Sequence, residues 1–202
     1  MFELRSSIAT VGIHGNNLRR LVFGNLPGGV GSPEYSPDGK RIAFAGVPEG
    51  KRVRHPSIWT MDRNGSHLRR VSRPPPRYGF CVDDSPDWRP DGRRIEFLYC
   101  YEERCGGGLY SVRSDGSDRR LLAPSSYAGV YSPSGHRVAL YSLGYDGAHQ
   151  NVKCADIFIV PAPERPWHPQ VPSLTHNCEG FFWQTHFTGL AMGPSWQPIP
   201  SS

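Results

Sequence analysis

A stretch of ten residues, YSPDGKRIAF from Tyr35 to Phe44, returns as WRPDGRRIEF from Trp88 to Phe97 and as YSPSGHRVAL from Tyr131 to Leu140. A second series is interleaved with it: IATVGIHGNNLRRLV from Ile8, IWTMDRNGSHLRRVS from Ile58, LYSVRSDGSDRRLLA from Leu109, and a degraded copy, IFIVPA, from Ile157. The starts at 8, 58, 109 and 157 lie 50, 51 and 48 residues apart, and Gly15, Gly65 and Gly116 keep one offset in the three full copies. Self-similarity at such a period constrains the fold more than any single residue. Each repeat is one supersecondary unit that buries its apolar faces only against its neighbours.

The chemistry of one unit is that of short antiparallel strands. RIAF, RIEF, IWTM and LYSV have the short apolar or alternating character of strands. With 20 Pro and 23 Gly in 202 residues the chain is punctuated by turns and has little room for long helices. Pro37-Asp38-Gly39 is a tight turn: proline presets φ, aspartate bonds its own backbone, and glycine accepts the left-handed conformation. Asn64-Gly65 and Asp115-Gly116 are hairpin signals of the same kind. Four strands per unit follow, A ending at the aromatic, B after the Pro-Asp-Gly turn, then C and D. Asp91 repeats Asp38, but Ser134 takes its place in the third copy while proline and glycine stay. A carboxylate that the repeat can lose closes a hairpin and is not a catalytic group. The expected fold is all-β, a β-propeller of four-stranded antiparallel blades stacked radially.

The stretches SPDGKRIAF, IWTMDRNGSHLRRVS and SPDWRPDGRRIEF resemble the TolB-like, WD-like β-propeller repeat, and the resemblance covers nearly the whole chain. It implies a propeller fold and a place among proteins that work in complexes at the bacterial envelope. It also implies a ring of six or more blades. The repeats themselves provide about four, read as one domain over 1–202: a partial blade at 1–30, blades at 31–80, 81–126 and 127–190, and a closing strand at 191–202. Phe2–Leu4 reads as a strand B and the PSWQP segment around Trp196 as a strand A, so that the two ends together complete one blade. A closed four-blade ring, an open arc and a fragment of a larger ring are all compatible with this count.

Strand order sorts the connections onto two faces. The A–B and C–D turns share one, and the longer loops occupy the other: Val47 to Ser57, Arg73 to Asp84, Cys100 to Gly108, Leu143 to Ala155 and His176 to Met192. Binding residues concentrate in varied loops on a rigid scaffold. All five cysteines, Cys81, Cys100, Cys105, Cys154 and Cys178, fall on the long-loop side. Cys100 with Cys105, and Cys154 with Cys178, are the candidate disulfides, leaving Cys81 over. Such pairs point to an oxidising, periplasmic or extracellular setting, although the N-terminus lacks the apolar core of a secretory signal. His149, Cys154, His176 and Cys178 could hold zinc, but their spacing matches no zinc signature, so no metal and no cofactor is expected.

No G-x-S-x-G elbow, P-loop, dinucleotide fingerprint or H-E-x-x-H is present. Asp83 and Asp84 precede SPDW and are the carboxylate pair that could face the channel; the alternative is a structural role bonding loop backbone. The formal charge of +5 fits a solvated basic surface, with no nucleic-acid partner expected. Arg19-Arg20, Arg69-Arg70 and Arg119-Arg120 mark the outer strands, where charge also blocks edge-to-edge pairing. No apolar run is long enough for a membrane-spanning helix. The function expected is non-catalytic binding of a protein or peptide, or scaffolding. Asp83, Asp84, His149 and His176 are the candidate contact residues on the long-loop face. The alternative is the gating propeller of a larger hydrolase or peptidase.

Overall fold

A computed structural model of the chain describes residues 2–4, 7–22, 26, 29–47, 55–73, 81–101, 108–124, 126, 128–145 and 152–162. Among them there are fourteen strands and no helix. The first sheet is β1 (Phe2–Leu4), β2 (Ser7–Thr10) and β3 (Arg19–Val22). The second is β4 (Val30–Tyr35), β5 (Arg41–Gly46), β6 (Ser57–Asp62) and β7 (Arg69–Arg70). The third is β8 (Cys81–Trp88), β9 (Arg94–Tyr101), β10 (Gly108–Arg113) and β11 (Arg120–Pro124). The fourth is β12 (Ala128–Tyr131), β13 (Arg137–Tyr145) and β14 (Val152–Pro161). Each sheet is a simple antiparallel meander, with strand neighbours in chain order. The inner strands of successive sheets also touch, β1 against β4, β4 against β8 and β8 against β12. This is the blade architecture of a β-propeller. Strand A ends at its aromatic each time, at Tyr35, Trp88 and Tyr131. Residues 191–202, with the expected closing strand, lie outside the described residues.

The core is three interblade layers built from equivalent positions. Between the first and second blades, Ile8 and Leu21 meet Ile42, Phe44 and Met61. Between the second and third, Ile58 and Val71 meet Ile95, Phe97 and Val112. Between the third and fourth, Leu109 and Leu122 meet Val138, Leu140 and Val160. All fifteen of these side chains are at most 6% exposed. A strand presents alternate residues to opposite faces, so one face of each blade packs backward and the other forward. A single blade has no inside of its own, and the apolar burial that holds the fold is made only between blades.

The turns repeat as closely as the core. Gly39, Gly92 and Gly135 have positive φ, and each donates its N–H to the carbonyl of Ser36, Arg89 or Ser132 at 2.8 Å. Asp38 Oδ1 accepts from the Lys40 N–H at 3.1 Å and Asp91 Oδ1 from Arg93 at 2.9 Å. In the third copy Ser134 Oγ accepts from His136 at 3.5 Å, a weaker version of the same turn. The A–B and C–D turns do share one face. Arg63 N–H donates to the Lys40 carbonyl at 2.8 Å, Ser114 to Arg93 at 2.9 Å and Ala162 to His136 at 2.7 Å.

On the opposite side the strands run further than the loop boundaries read from the sequence. Cys81–Asp84 belongs to β8, and Leu143–Tyr145 pairs with Val152–Ala155 at the ends of β13 and β14. Cross-strand pairing continues through these residues because each opposes a partner in register, which loop-like composition alone does not show.

Candidate functional site

Asp83 and Asp84 are adjacent on β8, so the period of two turns them to opposite faces. Asp83 points into the interface between the second and third blades and is 0% exposed. Its Oδ2 accepts from Ser72 Oγ at 2.6 Å, and its Oδ1 meets Arg119 Nη2 at 3.0 Å. The Asp83 N–H donates to the Pro56 carbonyl at 3.1 Å. Burial pushes the carboxyl up to about 6, against the pull of Arg119 and of the Ser72 hydroxyl, which leaves it ionised at neutral pH. Asp84 is half-buried: its Oδ1 accepts from the Ser85 N–H at 2.6 Å and, across the blade interface, from Ser32 Oγ at 2.9 Å.

Arg119 completes an arrangement that the sequence reading placed on a basic outer rim. Its guanidinium carbon lies 4.4 Å from the ring centre of Tyr110, 5.0 Å from Tyr99 and 5.4 Å from Phe97. The side chain therefore crosses the third blade from its outer edge to its inner strand, over three aromatic faces that attract a cation. The other basic pairs are also engaged locally. Arg20 Nε donates to Ser7 Oγ and Arg70 Nη2 to Ser57 Oγ, both at 2.6 Å.

A second group of carboxyls sits between the third and fourth blades. Glu96 and Asp87 are cross-strand partners. Glu96 is fully buried beside the Tyr131 hydroxyl, with neither of its oxygens in strict hydrogen-bond geometry with a described residue. Burial pushes it up to about 8, with the Asp87 charge adding to the shift and the Tyr131 hydroxyl opposing it. Glu96 is thus mainly protonated at neutral pH. Burial likewise raises Asp87 to about 6, although Asp87 Oδ2 accepts from the Tyr131 N–H at 3.3 Å. Room for Glu96 comes from Gly129, where a Cβ would lie 2.5 Å from Leu109 Cδ2 and 3.2 Å from Glu96 Oε2.

Two inner-strand features were not read from the sequence. Register shifts fall between Gly31 and Glu34 on β4 and between Asp84 and Asp87 on β8. Ser32 and Ser85 occupy these bulges with φ of 50° and 52°. The signal was the Ser-Pro pair in GSPEY and DSPDW, which the third copy, AGVY, lacks. Bulges bend a strand and re-aim its side chains. Here they bring Ser32 of the second blade to Asp84 of the third.

Cys100 is buried at 4% exposure and is not a free thiol. Neither candidate disulfide pairing is shown. His149, His176, Cys105 and Cys178 lie outside the described residues, so of the four contact candidates only Asp83 and Asp84 are placed, and they face opposite ways. No group of three or more His, Cys, Asp or Glu side chains able to hold a metal occurs among the described residues.

The turn-bearing end of the third blade carries a hollow of about 730 Å³ lined by Arg41, Arg89, Arg93, Arg94, Arg113 and Arg120. Asp91 and Asp115 stand in the same wall. This is the face whose short loops gave no reason to expect a site.

No family model matches the chain. It is 31% identical over 131 residues to an uncharacterized protein of Agrobacterium fabrum, a match covering 63% of this chain and 40% of that one. Among solved structures it is similar to an oligogalacturonate lyase from Vibrio parahaemolyticus, with a TM-score of 0.50, 16% identity, and coverage of 76% of this chain and 39% of the lyase. The β-propeller domain of the Trilobed protease from Pyrococcus furiosus follows, with a TM-score of 0.49, 20% identity, and coverage of 76% and 45%. The chain thus spans less than half the length of each of these proteins.

Proposed function

We propose that this chain is a non-catalytic binding or scaffolding propeller section of TolB-like type, which engages a protein or peptide. The observation that carries the proposal is the interblade construction. Five equivalent apolar side chains close each of three interfaces, so the blade ends are fixed relative to one another. A rigid platform of this kind presents loops for recognition. The buried ionisable groups Asp83 and Arg119 are spent on holding that platform together. The proposed contact residues are those of the long-loop end, Asp84, which is half-exposed there, together with His149 and His176, while the buried Asp83 braces the platform behind them. We place the protein in the periplasm or outside the cell, with Cys100–Cys105 and Cys154–Cys178 disulfides stapling the loops.

Affinity capture of the full native protein, followed by titration of the purified captured protein against it, tests this reading. A saturable complex of defined stoichiometry is expected. Failure of every captured protein to bind on purification overturns it.

A second reading is supported by the lengths. A chain that covers 40% of its relative suits the propeller portion of a larger protein, and a hydrolase or peptidase domain on the same polypeptide would make this section its gate. A non-reducing peptide map bears on the setting: five free thiols would remove the oxidising compartment from the proposal.

A further inference from the structure

The arginine-lined hollow lies at the end of the molecule opposite the long loops and has a charge pattern of its own. Six arginines line it against two aspartates. Asp118, beside it, serves three of the six at once. Arg120 Nε is 2.6 Å from Oδ1, Arg94 Nη1 is 2.9 Å from Oδ2, and Arg113 Nε is 3.4 Å from Oδ2. Hydrogen bonds from Arg120 and Arg94 hold the Asp118 carboxyl at about 2, so it is ionised throughout the working pH range. Even so, one carboxylate cannot satisfy three guanidiniums, each of which carries five N–H donors. Arg94 is fixed as a strut, donating from Nε to Ser111 Oγ at 2.6 Å and from Nη2 to the Asp118 carbonyl at 2.8 Å. Arg93 and Arg113 are exposed. Among the described residues Arg89 is held by Asp91 at 3.4 Å and by the Tyr131 ring 6.0 Å below its guanidinium.

We propose that this hollow is a docking site for a carboxylate-rich segment of a protein partner, whose Asp and Glu side chains pair with Arg89, Arg93 and Arg113. The fork of a guanidinium matches a carboxylate in two parallel hydrogen bonds. The volume is that of a ligand pocket, room for a few side chains rather than for a duplex. A single-stranded nucleic acid fits less well, because it needs aromatic faces on which bases can stack. The aromatic rings beneath the arginines of the hollow are buried and roofed: Trp88 is 4% exposed beneath Arg41 at 4.7 Å, and Tyr131 is 6% exposed beneath Arg89. Asp91 and Asp115 on the wall also repel a continuous phosphate backbone, whereas isolated carboxylates can fit between them. This site is separate from the long-loop end and holds whether or not that end binds a partner.

The test is fluorescence anisotropy of a labelled acidic peptide of alternating Glu and Gly with the full native protein at low salt. Saturable binding is expected, weakened by added salt as charge pairing requires. Arg93→Ala with Arg113→Ala should weaken it by about tenfold, the loss of one or two charge-assisted hydrogen bonds. Arg63→Ala, an exposed arginine in the corresponding turn of the second blade, should leave it within about twofold, since general surface charge contributes little. Arg93→Gln with Arg113→Gln keeps the polar bulk and should reproduce the loss. No binding by the native protein, or an equal loss with Arg63→Ala, overturns the proposal. So does tighter binding of a single-stranded oligonucleotide of the same charge, which would make the hollow a nucleic-acid site.

Discussion

At the scale of single residues, the main departures from an apolar core are carboxyls. Glu96 stands where the second and fourth blades have Ala43 and Ala139, and it is held neutral by burial. A carboxyl whose folded value is raised binds more protons in the native state than in the unfolded chain. The stability it contributes is therefore complete below its ordinary value of 4.5 and is lost as pH rises through its folded value of about 8. Asp83 and Asp87 act in the same direction up to about 6. Thermal unfolding followed from pH 5 to pH 8.5 should show a falling midpoint. Glu96→Gln, which keeps the shape and removes the titration, should flatten the fall above pH 6. The slope at stake is on the order of 1 kcal/mol per pH unit. An unchanged profile in the variant would assign the fall to other groups. Gly129→Ala should destabilise by about 1–3 kcal/mol, because the added methyl overlaps Leu109 in a packed interface. Equilibrium denaturation measures that directly, and a neutral result would mean that the third and fourth blades are less tightly apposed.

Among elements, the third blade carries a charged pair where the second has an apolar one. Val30 pairs with Gly46 as Asp83 pairs with Tyr99, and Leu68 packs against the cluster containing Val30 where the third blade has Arg119. An apolar contact in one blade is thus a buried ion pair in the next. Asp83→Ala alone should cost about 3–5 kcal/mol, since it leaves the Arg119 guanidinium half-desolvated without its partner. Asp83→Val with Arg119→Leu, copying the second blade, should restore stability to within about 1 kcal/mol of the parent or exceed it. A double variant as unstable as the single one would show that the pair does more than fill the interface.

Much of this level was legible in the sequence. The period, the four strands, the shared face of the short turns and the structural role of Asp38 all follow from residues whose chemistry acts locally. The inward course of Arg119 was not legible, because the sequence places it next to Arg120 and only the stacking of Tyr99, Tyr110 and Phe97 beneath it decides which way it turns. The hollow was hidden for a related reason. Its arginines come from three separate turns and strand ends of a face whose loops are short, and only the fold brings them together.

As a whole, the molecule is a stack of blades with two ends of different character. One end carries Cys81, Cys100 and Cys154 on its strands, and the other carries the regular turns and the arginine hollow. A propeller section that works by binding should form a complex without altering its partner. The most direct measurement is a calorimetric titration of the full native protein with its purified captured partner, with the partner's mass checked afterwards. The account predicts a saturable isotherm and an intact partner. A partner released cleaved or chemically altered, or no saturable heat with any captured protein, would contradict it.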